Sequence, residues 1–199
     1  YMVHLEDMYT TRGYEYMAYI DPYQFLSRVK VPVMYIIGTN DNIFNSFDDH
    51  GFYPFYQGDK SFAYVPNYRH GMGTTTHAEA ARAWAAHCFW RRPVTTLTAL
   101  ESIDHGELNI SAIVKSQADV TSVRLYYCFL QGKEFNDAKD SNQSVPMKRE
   151  RDSVLWNAPL PTSKTASGEV YWYVETRDQA NRLESIATSL LKRSSITLN

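Results

Sequence analysis

The stretch VMYIIGTND, which runs from Val33 to Asp41, decides the fold class that the sequence predicts. It begins with a continuous apolar run that is closed by Gly38, a pattern typical of a strand buried on both faces of a parallel sheet. A second apolar run, residues 61–65, follows after enough chain for a right-handed crossover between parallel strands. These two runs indicate α/β structure in the first part of the chain.

Helices are predicted before and after these strands. Asp21-Pro22 is a typical helix start, and Pro32 ends that helix. A longer helix is predicted from Thr76 to Trp90, because Thr76 and Glu79 stand at the spacing of a capping box. The apolar face expected for this helix consists of Ala78, Ala81, Trp84, Ala85, Cys88 and Phe89.

The sequence pattern changes near Pro93. Beyond it, apolar and polar residues alternate in segments separated by turn residues, as in Leu108–Val114 and Val123–Phe129. Six or seven half-buried strands in roughly 105 residues are typical of a β-sandwich of the immunoglobulin or fibronectin type III kind. The sequence therefore predicts two domains, residues 1–92 and residues 93–199.

The composition restricts the class of protein. The chain has 199 residues, of which 44% are hydrophobic, and 20 Lys and Arg balance 22 Asp and Glu. These values are ordinary for a folded domain and give no electrostatic signature of nucleic-acid binding. No apolar run approaches the roughly 18 residues that a membrane span needs. We therefore expect a soluble protein with no nucleic-acid partner and no membrane span.

Two further features concern the cellular compartment. The only cysteines, Cys88 and Cys128, are interpreted as buried thiols, and a disulfide between them is the alternative. Two sequons, at Asn109 and Asn142, are consistent with N-glycosylation. They indicate a secreted, extracellular protein.

The residues that follow the two apolar runs are the candidates for chemistry, because open α/β sheets bind ligands at the carboxyl ends of their strands. Asp41 follows the first run and His70 follows the second. A carboxylate that accepts a hydrogen bond from one imidazole nitrogen fixes the tautomer, so the other nitrogen can accept a proton from a nucleophile. Asp41 and His70 are therefore predicted to be catalytic, although a turn aspartate and a hydrogen-bonded loop histidine would also explain them.

Several segments resemble the α/β-hydrolases. The segment from Val31 to Asp41 is similar to the penultimate strand of that superfamily with the triad acid at its end. The segment from Tyr64 to Gly71 is similar to its last strand with the triad histidine, and the helix at 76–90 is similar to the helix that closes the fold. The resemblance implies the C-terminal portion of an α/β-hydrolase sheet, here followed by an all-β sandwich.

Short motifs within this region resemble the PhoPQ-activated pathogenicity-related family, which includes a secreted autocrine proliferation repressor. The motifs are Ile20-Asp21-Pro22-Tyr23, Gly38-Thr39-Asn40-Asp41, Gln57-Gly58-Asp59-Lys60 and Val65-Pro66-Asn67. The resemblance implies a serine-type hydrolase that acts on a small-molecule ester or a peptide, with Asp41 and His70 as triad acid and base. The alternatives are a non-catalytic secreted binding or signalling protein and a structural subunit of a larger assembly.

The chain departs from the hydrolase pattern at the nucleophile. That serine lies in a Gly-x-Ser-x-Gly elbow, but none of the 9 glycines is followed two residues later by Ser or Cys. Because the chain also begins with Tyr1, we expect its partner to be an N-terminal hydrolase segment that carries the serine. No cofactor and no metal is expected, and Asp48-Asp49-His50 is interpreted as the start of a helix.

Overall fold

The structure is a computed structural model that describes residues 5–41, 53, 55–104, 107–130, 142–161, 168–180 and 182–196. Its helices are α1 (Leu5–Met8), α2 (Thr11–Ile20), a 3₁₀ helix (Pro22–Arg28) and α3 (Thr75–Trp90). Its strands are β1 (Val33–Gly38), β2 (Lys60–Val65), β3 (Thr96–Asp104), β4 (Glu107–Lys115), β5 (Asp119–Leu130), β6 (Gln143–Pro146), β7 (Lys148–Arg149), β8 (Leu155–Pro159), β9 (Gly168–Ala180), β10 (Leu183–Thr188) and β11 (Lys192–Ile196). None of the described helices is long and apolar enough to span a membrane.

The chain forms two compact units. Residues 1–33 with 50–60 make the first, which contains α1, α2 and the 3₁₀ helix. Residues 34–49 with 61–199 make the second, which contains α3, β3 to β11 and nearly all of β1 and β2. Both sequence-predicted catalytic residues belong to this second unit.

Strands β1 and β2 form a two-stranded sheet of their own. The Val33 N–H donates to the Asp59 carbonyl over 2.8 Å, and the Thr39 N–H donates to the Val65 carbonyl over 3.0 Å. These two bonds advance in the same direction along both segments, which only parallel strands allow. Their carboxyl ends therefore lie at the same edge, as the sequence predicts.

The later strands form a β-sandwich of two antiparallel sheets. One sheet has the order β3-β4-β8-β7, and the other has the order β10-β9-β5-β6 with β11 also paired to β9. This is the strand order of immunoglobulin-type sandwiches. The two sheets enclose one hydrophobic core, in which the Trp172 ring is fully buried and donates from Nε1 to Ser194 Oγ over 2.8 Å. The β-sandwich predicted from the alternating pattern is confirmed.

Strand β2 packs against the outer face of the five-stranded sheet. The Tyr64 ring on β2 lies 5.0 Å from the Tyr173 ring on β9, centroid to centroid. Beside them, Thr188 Oγ1 donates to the Phe62 carbonyl and accepts from the Tyr64 N–H, both over 3.3 Å. Because all four of these side chains are buried, the sheet that carries the candidate site is anchored directly on the sandwich.

The α/β fold class predicted from the sequence is wrong. The described residues are mainly β, and the parallel sheet has only two strands, so no α/β-hydrolase sheet is present among them. The physical reason is that a buried apolar run does not reveal what covers it. Phe62 and Tyr64 are buried as in a wide parallel sheet, but Tyr64 is covered by the sandwich strand β9. The boundary between residues 92 and 93 stays a prediction.

The N-cap of helix α3 lies two residues before the predicted one, at Thr74 rather than Thr76. Thr74 is the N-cap, and its capping-box partner is His77 instead of Glu79. The buried face consists of His77, Ala80, Ala83 and Ala86, so the predicted apolar face is wrong. Alanines lie on all sides of this helix, and hydrophobic periodicity therefore could not select a face.

Candidate functional site

The acid and the histidine predicted from the sequence lie together at the shared edge of β1 and β2. His70 Nδ1 and Asp41 Oδ2 are 3.0 Å apart, which is hydrogen-bond distance. The Asp41 side chain is only 5% exposed, whereas the His70 side chain is 46% exposed. A buried carboxylate thus contacts one nitrogen of an imidazole that reaches solvent.

A tight turn at the end of β1 positions Asp41. The Asp41 N–H donates to the Gly38 carbonyl over 3.2 Å, and the Asn40 N–H donates to the Tyr68 carbonyl over 2.9 Å. A Cβ on Gly38 would clash with the main chain of the loop after β2, since it would lie 2.7 Å from the Arg69 carbonyl oxygen. Glycine at this position therefore allows the Asp41 turn and the His70 loop to approach each other.

Tyr68 and helix α3 hold the loop that carries His70. The Tyr68 hydroxyl accepts a hydrogen bond from the Gly73 N–H over 3.1 Å, and the Tyr68 ring meets the His77 ring edge-on at 4.8 Å. His77 Nδ1 in turn lies 2.5 Å from Thr74 Oγ1 in the capping box. Burial lowers the pKa of His77 below its ordinary value of 6.5, because desolvation disfavours the charged form of the imidazole. The His70 loop is thereby fixed between β2 and the first turn of α3.

A third segment, from the sandwich, joins the two loops. Asn142 Nδ2 donates to Thr39 Oγ1 over 3.1 Å, and the Asn142 main chain exchanges two hydrogen bonds with the Asn67 side chain. Sequence reasoning gave Thr39, Asn67 and Tyr68 no role of their own and interpreted Asn142 as a glycosylation site. Thr39 and Asn67 stand inside the short motifs given above, and Tyr68 stands inside the segment from Tyr64 to Gly71. Asn142 is 103 residues from Thr39 and carries no sequence signal for this contact.

The arrangement is suited to moving a proton. A carboxylate that accepts from Nδ1–H leaves the lone pair of the imidazole on Nε2, where it can accept a proton from a hydroxyl or a water. It also stabilises the imidazolium that this transfer forms. The catalytic roles of Asp41 and His70 stay predictions, and the structure supplies their contact.

The metal and disulfide candidates have no described contact with Asp41 or His70. In the described ranges no group of three or more His, Cys, Asp or Glu could hold a metal ion, and Asp48-Asp49-His50 lies outside those ranges. Neither cysteine forms a disulfide in the described part of the chain. Cys128 is buried as expected, but Cys88 is exposed.

The glycosylation site predicted at Asn142 overlaps with the contact described above. The side-chain nitrogen that a glycan would occupy on Asn142 is the atom that donates to Thr39. Secretion of the protein stays a prediction.

The chain is similar to one family of known proteins. The family model described as PhoPQ-activated pathogenicity-related protein matches residues 3–135, about two thirds of the chain and all of the Asp41 and His70 segments. None of the curated proteins compared with the chain matches it.

Similar solved structures resemble the chain over about half of its length. One is a carbohydrate-binding module family 56 beta-1,3-glucan binding domain, with 14% identity over 50% of this chain and 98% of that one, and a TM-score of 0.33. Another is a DUF3823 family protein from Bacteroides ovatus ATCC 8483, with 9% identity over 52% of this chain and 54% of that one, and a TM-score of 0.35. Likenesses this distant carry no functional argument.

Proposed function

We propose, from the premise that the chain belongs to the PhoPQ-activated pathogenicity-related protein family, that Asp41 and His70 are the acid–base pair of a site that hydrolyses an ester or an amide. The observation that carries this proposal is the 3.0 Å contact between a buried carboxylate and a half-exposed imidazole. A carboxylate that is hydrogen-bonded to a solvent-reaching imidazole is the geometry that general base catalysis requires.

In the proposed mechanism, His70 acts as general base. Its Nε2 takes the proton of a serine hydroxyl as that oxygen attacks the carbonyl carbon, and it gives the proton to the leaving group as the bond to that group breaks. A water molecule then attacks the acyl-serine, His70 takes the proton of that water, and the proton returns to the serine oxygen as the acid product leaves. Asp41 accepts from Nδ1–H throughout, which holds the ring orientation and stabilises the charged imidazolium. Since no glycine of the chain precedes a serine at elbow spacing, the serine belongs to a segment outside these 199 residues.

A fluorophosphonate probe, which reacts with activated serines, tests this proposal on the naturally occurring protein. We expect intact-mass analysis to show an adduct on a polypeptide segment linked to or associated with this chain. His70→Ala should reduce the labelling rate by at least about a hundredfold, because loss of a general base costs about that much or more. The matched control is His87→Gln, whose ring lies at the far end of α3 and contacts the Arg92 carbonyl. Labelling that persists unchanged in His70→Ala would remove His70 from the mechanism.

A binding or signalling role without turnover is the second candidate. The observation that favours it is helix α2, which buries none of its residues and exposes Tyr14, Tyr16 and Tyr19 by 61%, 59% and 81%. Large exposed aromatic side chains are typical of interaction surfaces. A probe that labels no serine in the natural protein, while an Asp41→Ala variant keeps its biological effect, would favour this second function.

A further inference from the structure

The hydroxyl of Thr39 has every hydrogen-bonding position filled. The side chain is fully buried, and Oγ1 donates to Asn40 Oδ1 over 2.8 Å. Oγ1 also accepts from the Asn67 N–H over 2.9 Å and from Asn142 Nδ2 over 3.1 Å. A threonine hydroxyl has one donor and two acceptor positions, so this atom is saturated. Removing any one partner would leave one hydrogen-bonding position of this buried hydroxyl empty.

Asn67 makes a second attachment to the segment at Asn142. It adopts a left-handed backbone conformation with φ of 56°, which asparagine tolerates better than most residues. Its Oδ1 accepts from the Asn142 N–H over 3.0 Å, and its Nδ2 donates to the Asn142 carbonyl over 3.2 Å. This two-point contact uses only the main chain of Asn142, so it is independent of the Asn142 side chain.

Asn142 is therefore attached to both loops of the candidate site. Thr39 stands two residues before Asp41, and Asn67 stands three residues before His70. Asn142 itself immediately precedes β6, and the next residue, Gln143, is paired to Tyr127 of β5 and accepts from its hydroxyl over 3.0 Å. A segment held in the sandwich thus ties together the acid loop and the histidine loop.

We propose that Asn142 is a positioning residue that keeps Asp41 and His70 at hydrogen-bond distance, an inference that rests on the proposed function of that pair. Its side-chain bond to Thr39 and its main-chain bonds to Asn67 hold the two loops in register from the sandwich side. The sandwich is on this account a structural part of the site. A change at Asn142 acts on the tautomer of His70, although its side chain contacts neither Asp41 nor His70 in any bond described above.

The test uses the whole chain with ¹⁵N-labelled histidine and long-range ¹H–¹⁵N correlation spectra, which report which ring nitrogen of His70 carries the proton. In the unsubstituted protein we expect the Nδ1–H tautomer, since Asp41 accepts from that nitrogen. Asn142→Ala removes the bond to Thr39 and keeps the main-chain bonds to Asn67. It should lower the ratio of Nδ1–H to Nε2–H tautomer by at least about fivefold, the effect of losing one satisfied buried hydrogen bond.

Two control variants, Asn109→Ala and Thr39→Ser, and a second test variant, Thr39→Val, separate a positioning role from a general loss of stability. Asn109→Ala changes the asparagine of the other sequon, whose side-chain nitrogen donates to the Glu107 carbonyl over 3.4 Å. It should leave the ratio within about twofold, as surface changes usually do. Thr39→Val, which keeps the shape and loses the hydroxyl, should reproduce the effect of Asn142→Ala, and Thr39→Ser should restore the ratio.

The outcomes distinguish this inference from the function on which it rests. If Asn142→Ala and Thr39→Val both retain the tautomer ratio of the unsubstituted protein, the positioning role is wrong, and the Asp41–His70 pair stands without it. If Asp41→Ala leaves the His70 tautomer unchanged, the pair does not form in solution, and both the proposed function and the positioning role are overturned. The proposal is supported if the tautomer ratio falls in Asn142→Ala and in Thr39→Val but is retained in Asn109→Ala and in Thr39→Ser.

Discussion

Arg92 and Asp178 form an ion pair in which neither side chain is more than 3% exposed. Arg92 follows the last turn of α3, and Asp178 lies on the central sandwich strand β9. Thr95 Oγ1 also contacts the second carboxylate oxygen of Asp178, over 2.5 Å, and Arg92 Nη1 donates to the Pro93 carbonyl over 2.8 Å. The pair thus fixes the connection between the helix beside the candidate site and the sandwich.

Replacing Arg92 alone should destabilise the protein strongly. Arg92→Met leaves the Asp178 charge buried without its counter-ion, which typically costs about 3–5 kcal/mol of unfolding free energy. Denaturant unfolding of the variant measures this loss. Arg151→Met is the control, since Arg151 is 97% exposed and its partner Asp152 is 95% exposed, so its ion pair contributes little. A loss below about 1 kcal/mol for Arg92→Met would show that Asp178 is solvated in solution.

Limited proteolysis tests the predicted boundary between residues 92 and 93. A boundary between separable domains is usually exposed and cut early. Trypsin does not cleave an arginine–proline bond, so the informative tryptic site at this boundary is Arg91–Arg92 and not Arg92–Pro93. Because Arg92 is buried, we expect trypsin to cut at the exposed Arg151 before it cuts after Arg91. Mass analysis of the first fragments gives the order. Early release of fragments 1–91 and 92–199 would instead support two independent domains.

Gly38→Ala should separate the two loops of the site. The added Cβ would meet main-chain oxygen atoms of Tyr68 and Arg69, and main chain cannot move aside as a side chain can. We expect a loss of about 1–3 kcal/mol of unfolding free energy, the usual cost of overpacking. The same variant should lose the Nδ1–H tautomer of His70, measured by the histidine ¹⁵N spectra. Unchanged stability together with an unchanged tautomer would contradict the close approach of these loops.

His77→Gln should reduce the sensitivity of the protein to acid. Burial lowers the pKa of His77 in the folded state below its ordinary value of 6.5, so the unfolded state binds a proton first as the pH falls. The stability that neutral His77 contributes is therefore complete above about pH 6.5 and is lost as the pH falls toward the folded-state pKa. Glutamine keeps a capping-box side chain at this position and does not titrate.

Denaturant unfolding at about pH 7.5 and about pH 5 measures the effect of His77→Gln, because this interval includes the ordinary pKa of histidine. We expect the variant to lose less free energy between these two pH values than the unsubstituted protein loses. His87→Gln serves as the control for removing a histidine from the same helix. An equal loss in the His77 variant and the unsubstituted protein would mean that His77 is protonated as easily in the folded state as in the unfolded state.

The local features of the candidate site could be predicted from the sequence. Val33–Asp41 combines a strand that is half-buried at its start and buried at its end with a glycine and a turn aspartate. These features determine where the carboxylate stands relative to its own strand. The alternating pattern after Pro93 likewise predicts the sandwich, because a period of two places one side of each strand in the core. Both depend on residues that are close together in the sequence.

What only the tertiary structure decided is which surfaces meet. An apolar run shows that Tyr64 is buried, but the run does not show that the ring of Tyr173 on β9 covers it, and the fold-class prediction was wrong for that reason. The same holds for Asn142, whose contact with Thr39 joins residues with no local relationship. Hydrophobic periodicity and turn chemistry record short-range constraints, whereas packing between layers and long-range hydrogen bonds depend on the whole fold. The sequence by itself therefore determined the candidate pair Asp41 and His70, and the tertiary structure decided what holds the two residues together.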